Sequence, residues 1–188
     1  MRIISGSAGG IRLQVPEAVT RPTSDRVREA IFSMLGERVV GANVLDLFAG
    51  SGALGLECLS RGAERVEFIE RDRKACAVIK ANLAKARLDG QGRVIAREAG
   101  AFLKNATGAY DLVFADPPYR KRDGDTDFAS ALLEDENFRR AISPGGMVVL
   151  ETVKGHVKTM PALGWELLDL RSYGDTEISF FRPADAVD

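Results

Sequence analysis

Val44-Leu45-Asp46-Leu47-Phe48-Ala49-Gly50-Ser51-Gly52-Ala53-Leu54-Gly55-Leu56-Glu57 is the stretch that decides the fold. A short apolar strand runs into a glycine-rich turn, and a helix follows. Glycines let a backbone turn tightly and approach a ligand closely. The start of the helix adds N–H groups with no partner inside the helix. Gly50, Gly52 and Gly55 also satisfy the G-x-G-x-x-G spacing of dinucleotide sites, a weak signal on its own. The next apolar run, Val66-Glu67-Phe68-Ile69-Glu70, ends in an acid 20 positions after Gly50. A carboxylate at that place accepts hydrogen bonds from ribose hydroxyls. The first half of the chain therefore reads as a nucleoside-type cofactor site on an open sheet, with the cofactor left unspecified.

Working outward, strands and helices alternate from Asn43. Strand 44–48 leads to helix 53–61, strand 66–70 to helix 72–87, and strand 93–97 to a short helix near 100–105. Strand 110–115 leads to a loop and a helix near 127–140, and strand 146–151 follows Pro144-Gly145-Gly146. Such alternation predicts an α/β fold with a doubly wound, mostly parallel sheet. The end breaks the pattern. Residues 165–173 and 176–182 are both strand-like with only Gly174-Asp175 between them, and a two-residue link makes an antiparallel hairpin. At the other end, 2–5 and 11–15 read as a hairpin with a flexible glycine tip. Pro16 and Pro22 bound an extended linker. Ser24 or Asp25 then caps a helix whose apolar face carries Val27, Ile31, Met34 and Leu35.

Strand 110–115 closes on Asp116-Pro117-Pro118-Tyr119. Proline fixes φ, restricts the residue before it and has no N–H, so the segment is a rigid ledge dominated by carbonyls. The Asp116 carboxylate and the Pro117 carbonyl are two acceptors for an exocyclic amino group. The Tyr119 ring can lie against a flat heterocycle, a contact worth about 1–3 kcal/mol per base.

The totals set bounds. At 188 residues the chain is long enough for one sizeable core, and 45% apolar with 28% charged residues is ordinary for a globular protein. No apolar run reaches 18 residues and the first residues lack a signal-peptide core, so no membrane span and a cytoplasmic location are expected. Cys58 and Cys76 are the only cysteines and His156 the only histidine. Without a Cys-x-x-Cys pair the cysteines read as buried free thiols, and no metal site is expected. His156, Trp165 and Phe102 read as structural. A net charge of −1 hides an asymmetry: residues 1–122 carry 20 Lys and Arg against 14 Asp and Glu, and the remainder 6 against 13. A basic first two-thirds suits an anionic partner.

Taken together, the glycine turn, the acid ending the second strand, the Asp-Pro-Pro-Tyr ledge and the terminal hairpin resemble the class I S-adenosylmethionine-dependent methyltransferases. Arg2-Ile3-Ile4-Ser5-Gly6, Gly10-Ile11-Arg12-Leu13, the run from Thr20 to Phe32 and Tyr173-Gly174-Asp175-Thr176 resemble the RsmD family over nearly the whole chain. That resemblance implies a Rossmann-like fold with a seven-stranded sheet, the small N-terminal extension over 1–40 facing RNA, the methyltransferase domain over 41–183 and a frayed tail over 184–188. It implies S-adenosylmethionine as cofactor and methylation of the N2 amino group of guanine 966 in bacterial 16S ribosomal RNA. The substrate would be an assembling or assembled 30S subunit, and the enzyme a monomer. Asp46, Phe48, Ala49, Gly50, Ser51, Gly52 and Gly55 would shape the floor under the cofactor. Glu70 would hold its ribose and Arg71 would flank its adenine. Glu98 and Ala99 stand where such enzymes commonly carry Asp-Ala near the adenine amino group, so Glu98 is one methylene longer. Asp116, Pro117, Pro118 and Tyr119 would hold the target guanine.

A guanine N2 inside a helix is out of reach of in-line transfer, so a loop or flipped base is expected. Arg120, Lys121 and Arg122 follow the ledge, and Arg21, Thr23, Arg26 and Arg28 lie in the extension. All are expected along the RNA track, where phosphate contacts position the substrate. Other readings of the same residues are N-methylation of DNA bases or of a protein glutamine, a nicotinamide oxidoreductase, and a non-catalytic RNA-binding assembly factor. A DNA target-recognition domain has no room in 188 residues. The glutamine enzymes typically carry Asn at the position of Asp116.

Overall fold

A computed structural model describes residues 1–16, 23–106, 110–118, 127–156 and 164–184. Helix starts follow side-chain chemistry. Ser24 caps α1 (Asp25–Leu35) by accepting from the Val27 N–H. A short 3-10 turn over Gly36–Val39 leads to β1 (Asn43–Leu47) and α2 (Ala53–Ser60). After β2 (Arg65–Glu70), Asp72 caps α3 (Arg73–Ala86) with bonds from the Lys74 and Ala75 N–H groups, which hold its carboxyl below the usual range. Next come β3 (Gly92–Ala96), α4 (Ala99–Leu103) and β4 (Tyr110–Ala115). Then follow α5 (Phe128–Glu134), α6 (Glu136–Arg140), β5 (Ile142–Val153), β6 (Trp165–Tyr173) and β7 (Thr176–Pro183).

The chain divides into two compact units, Met1–Ala99 and Gly100–Asp188. In the first, the strand order is β3-β2-β1 and every pairing is parallel. In the second, it is β4-β5-β7-β6, with β4 and β5 parallel and the rest antiparallel. The strands described number seven and their pairing is mixed, as expected. β1 and β4 are almost wholly buried, which is why they are mostly apolar, with Asp46 the buried exception.

Three local expectations change. The helix expected over 127–140 is two helices, because Asp135 takes an extended conformation and its side chain caps the second by accepting from the Asn137 N–H. β5 begins before the Pro144-Gly145-Gly146 run rather than after it, and its pairing with β4 slips a register there. The N-terminal hairpin shrinks to one bridge, Arg2 with Arg12. The Ile3, Gly10 and Leu13 N–H groups still donate across it, to the Ile11, Ile3 and Met1 carbonyls, while others go to side chains of α2 and α3. Ile4 and Ser5 donate to Glu57, Ala8 to Ser60 Oγ and Gln14 to Asn82. The terminal hairpin is as expected, with Gly174 at a φ of 61° in the turn.

Candidate active site

The glycine turn is built from residues in the left-handed region. Phe48 (φ 60°), Gly50 (φ 54°) and Gly52 (φ 76°) adopt it, while Ala49 and Ser51 do not. Such alternation curls successive N–H groups toward one side of the chain. A positive φ at Phe48 is uncommon for a residue with a side chain and needs support from outside the turn. That support is visible: the Ala49 N–H donates to the Ile69 carbonyl (3.1 Å), and the Gly52 N–H to the Ala49 carbonyl (2.7 Å).

Two carboxylates hold the turn from below and from the side. Asp46 is buried on β1 and accepts from the Gly55 N–H at 3.0 Å. Burial pushes its carboxyl up to about 8; the Gly55 bond opposes the shift and the nearby Glu70 charge adds to it. Glu70, at the end of β2, accepts from the Gly50 N–H (3.0 Å) with one oxygen and the Asp72 N–H (2.8 Å) with the other. A carboxylate offers about four lone-pair sites, so two remain for hydroxyl donors and the group is fixed in place before any ligand arrives. Further along the turn and into α2, the N–H groups of Ser51, Ala53 and Leu54 have no hydrogen-bond acceptor among the described residues. A carboxylate acceptor matches these helix-start donors. Acceptors for hydroxyls together with backbone donors for a carboxylate fit an amino-acid nucleoside such as S-adenosylmethionine.

Gly55 has a packing role. A Cβ there would meet Phe68 Cε1 at 2.3 Å, so the missing side chain is what lets α2 lie against β2. Ser51 is buried, and its hydroxyl donates to Met1 Sδ (3.4 Å), so Ser51 offers the site its backbone rather than its side chain. Ala99 is buried at the start of α4, while Arg71 and Glu98 are exposed. The thiol of Cys58 is pushed well up by burial, and Cys76 Sγ donates to the Glu70 carbonyl. Both read correctly as buried thiols. Among the described residues no cluster of His, Cys, Asp and Glu could hold a metal.

In the second unit β4 delivers the ledge: Asp116 is half-buried, Pro117 buried and Pro118 exposed. Tyr119, Arg120, Lys121, Arg122 and Arg21 lie outside the described residues. Arg26 is exposed and Thr23 half-buried. His156 bonds Asp127, whose carboxyl is lowered: burial opposes the shift, but bonds from Ser130 and His156 outweigh it.

One expectation is corrected. Arg28 is fully buried and presents no charge to RNA. Its guanidinium donates to the Arg2 carbonyl and to Asp25 (2.8 Å), and it lies 3.9 Å from Glu57. Glu57, also fully buried, accepts from the Ile4 and Ser5 N–H groups (2.7 and 3.0 Å) and from Arg61 (2.7 Å). The arginine helps to seat the N-terminal segment on α2. Glu57, Ser60 and Asn82, which do the seating, escaped sequence reading. The signal was there: each is a polar residue on an otherwise apolar helix face.

The family model described as conserved hypothetical protein 95 matches residues 1–182. The ribosomal RNA small subunit methyltransferase D of Escherichia coli strain K12 is 40% identical over 169 residues, spanning 89% of this chain and 82% of that protein. The putative rRNA methyltransferase YlbH of Bacillus subtilis is 45% identical over 127 residues, 65% of this chain and 68% of its own. Among solved structures, the putative methyltransferase yhhF from Escherichia coli superposes with a TM-score of 0.80 at 36% identity, covering 97% of each chain. The expected class I methyltransferase fold is thereby borne out.

Proposed function

Because the chain belongs to the RsmD family, described as conserved hypothetical protein 95, we propose that it methylates the exocyclic N2 of one guanine, guanine 966, in 16S ribosomal RNA. The observation that carries the reading is the pre-set glycine turn with Glu70 locked across it. The relative named ribosomal RNA small subunit methyltransferase D spans most of both chains and supports the substrate class.

When bound, S-adenosylmethionine supplies an electrophilic methyl group on a sulfonium. The turn at 48–52, with Ala53 and Gly55, and the acids Asp46 and Glu70 hold it, with Arg71, Glu98 and Ala99 on its adenine side. The N2 lone pair of guanine is delocalised into the ring and is a poor nucleophile. Asp116 and the Pro117 carbonyl accept its two N–H bonds, favouring a pyramidal nitrogen whose lone pair is available. Tyr119 stacks on the base, and Pro118 stiffens the ledge. Alignment then carries most of the catalysis, since pre-paid orientation supplies up to about 7–11 kcal/mol. Asp116 takes the proton that the nitrogen releases as the new bond forms. Residues 1–40 face the RNA, with Arg21, Thr23, Arg26 and Arg120 to Arg122 along its phosphates, and 41–183 form the methyltransferase domain. The enzyme acts as a cytoplasmic monomer on an assembling or assembled 30S subunit. No helix among the described residues is long and apolar enough to cross a membrane, in keeping with that location.

The test is methyl transfer from radiolabelled S-adenosylmethionine to 30S subunits lacking this modification, with naked 16S RNA in parallel and the label located by nuclease digestion and mass spectrometry. One N2-methylguanosine is the expected product. Label on DNA or protein but not RNA would overturn the substrate and keep the fold.

A further inference from the structure

Asn82 occupies the buried face of α3 between Ile79 and Leu83, fully enclosed. Asparagine is a poor helix former, because its side chain competes for backbone hydrogen bonds. A leucine or alanine would serve the helix better, so this residue answers to something outside it. Its amide makes three hydrogen bonds. Oδ1 accepts from the Gln14 N–H (2.8 Å), and Nδ2 donates to the Gln14 carbonyl (2.9 Å) and to the Ser51 carbonyl (3.1 Å). Asn82 thus pairs with Gln14 as a neighbouring strand residue would, and spends its last hydrogen on the glycine turn.

Two further contacts support the same link. The Ser51 hydroxyl donates to Met1 Sδ, so residue 51 meets the N-terminal segment directly. Lys85, one turn along α3, donates to the Arg12 carbonyl (2.7 Å) and holds the same segment from its exposed side. Ile3, Ala8 and Leu13 bury their side chains, so Met1–Gln14 lies down as a strap rather than a free arm.

We propose that Asn82 is a positioning residue that couples the glycine turn to the N-terminal strap, so that filling the cofactor site orders the segment leading to the RNA-facing residues. This rests on the methyltransferase reading above. Coupling of this kind is reciprocal: a strap held by RNA raises cofactor affinity by the same factor by which cofactor raises RNA affinity.

The test uses the full chain, S-adenosylhomocysteine as probe, calorimetry for affinity and amide hydrogen exchange for order. In the wild type the probe is expected to slow exchange at Ile3, Gly10, Leu13 and Gln14. Asn82→Leu keeps the branched shape and removes all three bonds. It is expected to weaken probe binding about five- to tenfold and to abolish the slowing at the strap. A lowered melting temperature with unchanged affinity and intact slowing would mark a merely structural residue and overturn the proposal. If Asn82→Leu does not fold, Lys85→Met decides: it loosens the strap from solvent and is expected to raise the dissociation constant about fivefold, the low end of such couplings. An unchanged constant there overturns the proposal. A wild type that binds no probe overturns the methyltransferase reading itself, and is told apart because no variant is then needed.

Discussion

The cofactor turn and the acceptor ledge each follow a buried strand paired in parallel, yet they are made rigid by different means. Around the turn, rigidity comes from hydrogen bonds that reach in from elsewhere: Asp46 to Gly55, Glu70 to Gly50 and Ile69 to Ala49. At the ledge, it comes from covalent rings, since Pro117 and Pro118 fix their own φ and restrict the residues before them. A turn held by bonds to distant residues can respond to what those residues feel. A φ fixed by a proline ring does not depend on them. The difference suits the proposed division of labour, in which one side would bind and release a cofactor and the other would present a fixed pair of acceptors to a weak nucleophile.

The strongest way to break this comparison is Asp116→Ala. Loss of a positioned acceptor and proton acceptor is expected to lower methyl transfer by about 10²–10⁴-fold, while S-adenosylhomocysteine affinity stays near wild type. Rates from label incorporation and affinities from calorimetry check both halves, and a matching loss of cofactor affinity would mean that the two regions are not independent. Next is Gly55→Ala, which drives a methyl group into Phe68 at 2.3 Å. Overpacking of this kind costs about 1–3 kcal/mol. A lowered urea midpoint together with weaker cofactor binding is expected, because α2 cannot shift without moving the turn. An unchanged midpoint would show that α2 is seated more loosely on β2 than the packing implies.

Asp46 sharpens the turn's side of the comparison through pH. Its folded pKa of about 8 stands above the ordinary value of 3.8, so the folded state holds its proton more tightly than the unfolded state. The stabilisation from this group is therefore complete below about pH 4 and is lost as pH rises to about 8, at no more than about 1.4 kcal/mol per pH unit. Asp46→Asn keeps an acceptor for the Gly55 N–H and removes the charge. Denaturation midpoints measured from pH 5 to 9 are expected to fall less steeply with pH in the variant. Parallel curves would place the ionisation elsewhere.

Most of the turn and all of the terminal hairpin were legible in sequence because they are local. Glycine spacing, an acid ending a strand and a two-residue link carry their geometry within a few positions. The same holds for the caps at Ser24 and Asp72. What was misread is non-local. Arg28 looks like any exposed helix arginine until Arg2 and Glu57 are brought to it from 26 residues before and 29 after. Glu57 and Asn82 sit on apolar faces where a periodicity argument counts them as exceptions, and the strap N–H groups that donate to them explain them. The break at Asp135 was readable in principle: an aspartate followed two positions later by a partner N–H is a cap as readily as a helix interior.

The smallest expected effect tests the ledge's stiffness alone. Pro118 is exposed, so replacing it opens no cavity. Pro118→Ala leaves Asp116 still restricted by Pro117 but frees Pro117 from the constraint that a following proline imposes. The change in conformational freedom is worth about 0.4–1 kcal/mol, which corresponds to a two- to fivefold fall in kcat with cofactor affinity unchanged. A fall confined to kcat supports a ledge whose carbonyl is pre-aimed by its own rings. An unchanged kcat would mean that the register of β4 alone places the Pro117 carbonyl, and the acceptor side, like the cofactor side, would then owe its rigidity to the sheet.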